Sequence, residues 1–107
     1  WRATEAALAA ARPGAACRDL FEAMASIVGD DGGDVGRYGH GIGLQLTEPP
    51  SLAGFDNAVL QPSMVITLEP GIRIGPDKIM VHEEDIVIRD GEPQLLTKRA
   101  PRDLPVI

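Results

Sequence analysis

The sequence predicts an α+β domain in which two helices are followed by a mostly antiparallel sheet. Three observations carry that expectation. Up to Val28 the chain is alanine-rich, with apolar residues at helical spacing; after Pro62 it breaks into short β-prone runs; and those runs are separated by Pro-Gly and Asp-Gly turns.

From Trp1 to Ala11 alanine dominates, and Arg12-Pro13-Gly14 ends the first helix because proline disfavours helical backbone in the residue before it. In the second helix Leu20, Phe21, Met24, Ile27 and Val28 share one face, with Arg18, Asp19, Glu22 and Ser26 largely opposite. Gly29 is the expected stop. Asp30 to Asp34 is acidic and glycine-rich and reads as a solvated loop, since the ligand spacing of a calcium loop is absent.

Tyr38 to Leu52 is the stretch around which the rest is organised. Gly39, Gly41 and Gly43 alternate around His40, so side chains are missing from one side of the backbone and something must approach it closely. Pro49 to Gly54 reads as irregular and Asn57 to Pro62 as a loop or an edge. Strands are expected at Met64–Leu68, Ile72–Ile74, Ile79–Val81 and Ile86–Ile88. Asp90-Gly91 then turns the chain into a last hairpin strand near Gln94–Thr97. Lys98–Ile107, with Pro101 and Pro105, reads as an extended tail covering the surface.

At 107 residues this is one domain at most, with a modest core. A net charge of -6 and a pI near 4.7, with no Lys/Arg-rich run, argue against a nucleic-acid or anionic-membrane partner. Cys17, the one cysteine, excludes an internal disulfide, fits a reducing compartment and reads as core rather than nucleophile. Neither a signal peptide nor a membrane-spanning apolar run is visible, so the expected location is cytoplasmic. The chain opens on Trp1, inside a helical pattern and without a cap, as a piece of a longer protein would.

Three residues carry the chemistry: His40, Glu69 and Glu84. His40 alone could cap a turn, and Glu69 alone could be a solvated strand end. Glu84 is different, because it lies between Glu83 and Asp85 beside apolar strand residues. Strand alternation sends Glu83 and Asp85 one way and Glu84 the other, and one of those faces is normally buried. A buried carboxylate is costly unless paired or metal-bound. One imidazole and two carboxylates on rigid strands suit a divalent ion such as manganese, iron, cobalt or zinc.

His-Gly-Ile-Gly-Leu, Leu-Glu-Pro-Gly-Ile and Glu-Glu-Asp-Ile-Val-Ile, followed by Asp-Gly and Leu-Leu-Thr, resemble the pita-bread metallohydrolases: proline dipeptidase, aminopeptidase P, methionine aminopeptidase and creatinase. The Arg-Pro-Gly turn is similar to that of the proline-peptidase branch. The resemblance covers essentially the whole chain, but it is a resemblance to the C-terminal half of the catalytic domain. Residues 1–107 are therefore expected to be that portion, with the N-terminal portion absent.

The resemblance implies an Xaa-Pro peptidase that cleaves with metal-bound water at a centre of two divalent metal ions. Two aspartates, one histidine and two glutamates hold that centre in the family. By motif match the metal ligands are His40, Glu69 and the bridging Glu84, and the catalytic candidates are His40 and Glu69, the latter passing a proton. Both aspartates belong to strands outside this chain, and neither Asp34 nor Asp85 matches their motif. The isolated chain is accordingly expected to bind metal weakly and to be inactive.

Two departures bear on the substrate. Thr47-Glu48 stands where the proline peptidases carry a second histidine before glutamate, and His82 stands where an arginine often precedes the last motif. Thr47 and His82 are the substrate-binding candidates; His82 should share a face with Glu84, where it is equally compatible with a packed strand histidine. A creatinase-like hydrolase or lyase acting on a small non-peptide substrate is the second reading. A non-catalytic binding or dimerisation module is the third. An open sheet edge and an uncovered apolar face make a homodimer the expected assembly.

Overall fold

The computed structural model describes residues 1–30 and 35–107. Helix α1 spans Arg2–Ala10 and α2 spans Cys17–Val28. The strands are β1 (His40–Gly41), β2 (Glu48–Ser51), β3 (Val65–Leu68), β4 (Gly71–Gly75), β5 (Lys78–Val81), β6 (Glu84–Val87) and β7 (Gln94–Leu95). All pairings are antiparallel: a five-stranded sheet in the order β2-β1-β3-β6-β7, and a separate β4–β5 hairpin. This is the α+β architecture the sequence predicts. The loop reading of Asp30–Asp34 falls, for 31–34, outside the described residues.

The helices form where periodicity and caps agree. Arg12 donates to the carbonyls of Leu8 and Ala11 at 2.8 and 3.0 Å, closing the C-terminal turn of α1. At the start of α2 the Asp19 carboxylate accepts the Ala16 N–H at 3.0 Å. Gly29 stops α2 with φ +104°, a conformation other residues adopt only with strain. Ala3, Ala7 and Ala11 are buried, and their small side chains let α1 lie close to its neighbours.

One face of the large sheet joins this packing. Ile66, Leu68, Ile86 and Ile88 are fully buried in a single cluster with Ala7, Leu20, Met24, Tyr38, Leu52 and Leu60. Each such side chain contributes on the order of 2 kcal/mol of apolar burial. Tyr38 stacks on Phe21 with ring centroids 5.2 Å apart, and its hydroxyl donates to the Gly29 carbonyl at 2.8 Å. Tyr38 thus fixes the chain entering β1 to helix α2.

Glu48–Ser51 is a strand where irregular structure was expected. Its two prolines are tolerated because β2 is the outer strand of the sheet and its second side needs no donors. The tail differs too. It lies across the domain only as far as Ala100, whose carbonyl accepts from the Trp1 indole at 3.2 Å, and residues 101–107 are exposed. Among the described residues no helix is long and apolar enough to cross a membrane.

Candidate metal centre

The glycines around His40 make room for backbone. A Cβ at Gly39, where φ is +151°, would collide with the Thr67 carbonyl oxygen and the Leu52 side chain; one at Gly41 would collide with the Pro49 carbonyl. At Gly43 the obstruction is the Glu48 carboxylate, which also accepts the Gln45 N–H at 3.2 Å. β1 is therefore threaded tightly between β2 and β3. The His40 N–H donates to the Thr67 hydroxyl at 3.0 Å, and the Glu69 N–H donates to the Tyr38 carbonyl at 2.8 Å. Backbone bonds on both sides thus hold His40 and Glu69 against each other.

Their side chains meet. His40 Nε2 lies 3.0 Å from Glu69 Oε1, with the imidazole 11% and the carboxylate 27% exposed. His40 Nδ1 lies 2.9 Å from the Gly41 carbonyl. A carbonyl only accepts, so Nδ1 carries the proton and, in the neutral ring, Nε2 presents a lone pair. Glu69 Oε1 is itself buried with no hydrogen-bond donor. Two electron-pair donors facing each other are stable only with a cation between them or a proton on the ring. A backbone carbonyl that fixes the tautomer and aims Nε2 is the usual support of a metal-bound histidine. His40 and Glu69 fit a divalent cation on that ground.

Glu84 does not join them. In the β3–β6 ladder Leu68 pairs with Glu84 and Thr67 with Asp85. Glu84 therefore lies on the core face with Leu68 and Ile86, 1% exposed, away from Thr67 and His40. Its burial is compensated by Arg99 Nη1 at 3.0 Å, the Ala100 N–H at 2.8 Å and a short bond from the Thr97 hydroxyl. Burial pushes this carboxyl up, but the three donors and the guanidinium charge outweigh it and hold it below the usual carboxylate range. In this chain the cost of a buried carboxylate is met by pairing, one of the two solutions that sequence reasoning allowed.

Glu83 has the opposite parity to Glu84. One step beyond the Leu68–Glu84 pair, Glu69 and Glu83 follow each other across the strands on the face of Thr67 and Asp85. The Glu83 carboxyl is raised by partial burial, then by the negative charges of Glu69 and Asp85, and is drawn back by His40. Asp85 Oδ1 is a second buried oxygen without a hydrogen-bond partner. One face thus gathers an imidazole and three carboxylates. Among the described residues no three of them close tightly enough to form a complete metal cage.

A signal for this arrangement was present in the sequence. Ile86 and Ile88 share the parity of Glu84, so the core face claims Glu84 and leaves Glu83 and Asp85 on the other side. His82 does share the Glu84 side, as alternation predicts, but there it bonds Thr4 Oγ1 at 2.9 Å and receives Arg99 Nη1 at 3.4 Å. It is a packed histidine facing α1, not a group turned toward His40. Burial first, then the nearby positive groups, lowers its pKa against the opposing pull of Glu84. Thr47 is exposed on the loop between β1 and β2.

The sequence pattern of metallopeptidase family M24 matches residues 1–90. The chain belongs to this family. Among M24 relatives, the Xaa-Pro dipeptidase of Pyrococcus furiosus is 35% identical over 99 residues, covering 90% of this chain and 28% of that protein. The Xaa-Pro dipeptidase of Lactobacillus delbrueckii subsp. lactis is 35% identical over 109 residues, covering 97% of this chain and 30% of that protein. In three dimensions the chain superposes on the prolidase from Pyrococcus furiosus with a TM-score of 0.82 at 32% identity, over 92% of this chain and 30% of that one. Its helices and antiparallel sheet are those of the C-terminal half of the pita-bread fold. The M24 chain described here spans under a third of the length of these relatives.

Proposed function

We propose that this chain is the histidine- and glutamate-bearing part of an Xaa-Pro dipeptidase-type metallohydrolase. The lone-pair contact between His40 Nε2 and Glu69 Oε1 carries the reading. His40 and Glu69 are metal ligands of this chain, and the motif match adds Glu84, whose carboxylate in this chain alone is held by Arg99, Ala100 and Thr97. The remaining ligands, two aspartates by the family resemblance, come from outside it. A divalent pair held here would supply an acidified water and a Lewis acid for the substrate carbonyl.

The chain's own residues have separable tasks. The Gly41 carbonyl keeps the proton on Nδ1 and so keeps Nε2 available. Glu69 Oε1, without a donor of its own, is placed to take up a proton and hand it to a leaving amine. Thr47, on the loop that leaves His40, offers a neutral hydrogen bond to substrate where a histidine would offer a charge. The ion is of the manganese, cobalt, zinc or iron class. A cytoplasmic setting is supported by the acidic balance and the one buried cysteine. A homodimer is supported by the uncovered β4–β5 hairpin, where Ile72, Ile74, Ile79, Met80 and Val81 are all exposed.

The test is metal content and hydrolysis of an Xaa-Pro dipeptide by the full-length protein, beside its Glu69→Gln variant. Divalent metal in the purified protein and a loss of turnover of about a thousandfold or more in the variant are expected. Turnover of a small non-peptide C–N substrate without dipeptide cleavage would move the substrate class. A protein that holds no metal sinks the reading.

A further inference from the structure

Two of the glycines after Gly39 leave room for a single residue, Glu48. A Cβ at Gly41 would press on the Glu48 carbonyl oxygen at 3.0 Å as well as on Pro49, and a Cβ at Gly43 would overlap the Glu48 carboxylate itself. Gly43 does not adopt a positive φ, so space and not backbone conformation calls for glycine there. The carboxylate lies back over Gly43 and accepts the Gln45 N–H at 3.2 Å, while the Gly43 N–H donates to the Gln45 carbonyl at 3.2 Å. At the neck of the loop Gly41 pairs with Glu48, and the Ile42 N–H donates to the Val65 carbonyl of β3 at 2.9 Å. The connection from β1 to β2 is thus closed at its neck by strand pairing and in its interior by the side chain of the residue that ends it. Leu44, Leu46 and Thr47 are left exposed on its outside.

We infer that Glu48 is a positioning residue for substrate binding: folded back over Gly43 onto the Gln45 N–H, its carboxylate holds the loop in one shape and so sets Thr47 relative to His40. The inference rests on the reading of Thr47 as a substrate contact. The physical reason is that a loop whose outer side chains stand in water has little apolar burial to define it. A hydrogen bond from a backbone N–H to an ionised carboxylate is about twice as strong as a neutral one, and here it is the bond that spans the loop. Glu48 also follows Thr47 directly, so the tie that closes the loop restricts the backbone on one side of Thr47. Without it the loop samples several shapes, and substrate affinity falls by the fraction of time spent in the competent one. Such a loss falls on binding, and leaves the proton transfers at His40 and Glu69 in place.

The experiment compares the full-length protein with its variants Glu48→Ala, Glu48→Gln and Gly43→Ala in kcat and KM for an Xaa-Pro dipeptide, in bound manganese, and in amide hydrogen exchange from Gly43 to Leu46. Glu48→Ala is expected to raise KM about tenfold while kcat stays within about threefold and metal content is unchanged. Amide exchange in the loop should rise about tenfold in the same variant. Glu48→Gln, whose amide oxygen still accepts the Gln45 N–H, is expected to recover most of the wild-type KM. Gly43→Ala, which displaces the carboxylate without removing it, should reproduce Glu48→Ala. Wild-type KM in Glu48→Ala overturns the positioning role. So does an equal rise in KM in Glu48→Gln, which would show that the negative charge itself meets the substrate. A full-length wild-type protein that does not cleave the dipeptide defeats the functional reading instead; loop exchange then decides the anchor, and unchanged exchange in Glu48→Ala overturns it.

Discussion

Leu68 stands directly opposite Glu84 in the β3–β6 ladder, and the register of that one pair decides which of two adjacent glutamates is buried. With Leu68 in the core, Glu84 is in the core, and Glu69 and Glu83 are left together on the other face. The two adjacent glutamates should therefore differ in what they contribute to stability. Glu83→Gln is expected to cost less than about 1 kcal/mol, as an exposed substitution does. Glu84→Gln is expected to cost roughly 2–4 kcal/mol, since it strands part of the Arg99 charge. Urea unfolding of both variants gives the comparison, and a reversed order refutes the register argument.

The same buried pair has a pH signature. The folded-state pKa of Glu84 is lowered, so the stability it provides is fully present above the ordinary carboxylate pKa and is lost as pH falls through the depressed folded value. In acid titration the wild-type protein should lose stability more steeply below about pH 4.5 than Glu84→Gln does. Parallel acid limbs for the two proteins would show that the pair contributes nothing of this kind.

Gly39 is the narrowest point of the site. Its φ of +151° and the proximity of the Thr67 carbonyl and the Leu52 side chain leave no space for a side chain. Gly39→Ala is expected to destabilise the fold by roughly 3 kcal/mol or more, combining strained backbone with a steric clash. A shift under about 1 kcal/mol in chemical denaturation counts against the packing described.

Cys17 is fully buried, and burial, aided by the charge of Asp56, pushes its thiol up to about 11. The folded value lies above the unfolded one, so the contribution to stability is complete below about pH 9 and disappears as pH rises toward 11. At pH 8 a thiol reagent should leave Cys17 unmodified in the folded protein and react on unfolding. Rapid modification under native conditions is the contrary result.

Thr47 tests the substrate side. A histidine at this exposed loop position adds a titratable donor on the segment that leaves His40, without touching the core. Thr47→His in the full-length protein is expected to raise kcat/KM for an Xaa-Pro dipeptide about tenfold, with a new dependence on pH near 6.5. No change in rate or pH profile would separate Thr47 from substrate recognition.

The elements that could be read from the sequence are those whose reasons are local. Leu20, Phe21 and Met24 announce α2 by spacing, and the Val65–Leu68 and Ile86–Ile88 runs announce their strands by composition. His40 and Glu69 were legible because glycine and proline punctuate them in sequence. β2 was not, since proline argues against a strand unless the strand is known to be outermost. The pairing of Glu84 with Arg99 was not legible either: the two are fifteen residues apart, and neither composition nor spacing announces that contact. Two of the donors to Glu84 come from residues that looked like an idle extension.

The contact between Trp1 and the tail adds a kinetic consequence. Trp1 and Ala100, 99 positions apart, are joined by an indole hydrogen bond, and Arg99 closes the same ring onto Trp1 and Glu5. Contacts of such separation require the largest loop closure in the chain, so they form after the helices have paired and the strands have zipped. Closure of the tail onto the first helix is then the last contact the folding chain acquires. An intermediate can hold a finished core and still lack the grip of Arg99 and Ala100 on Glu84.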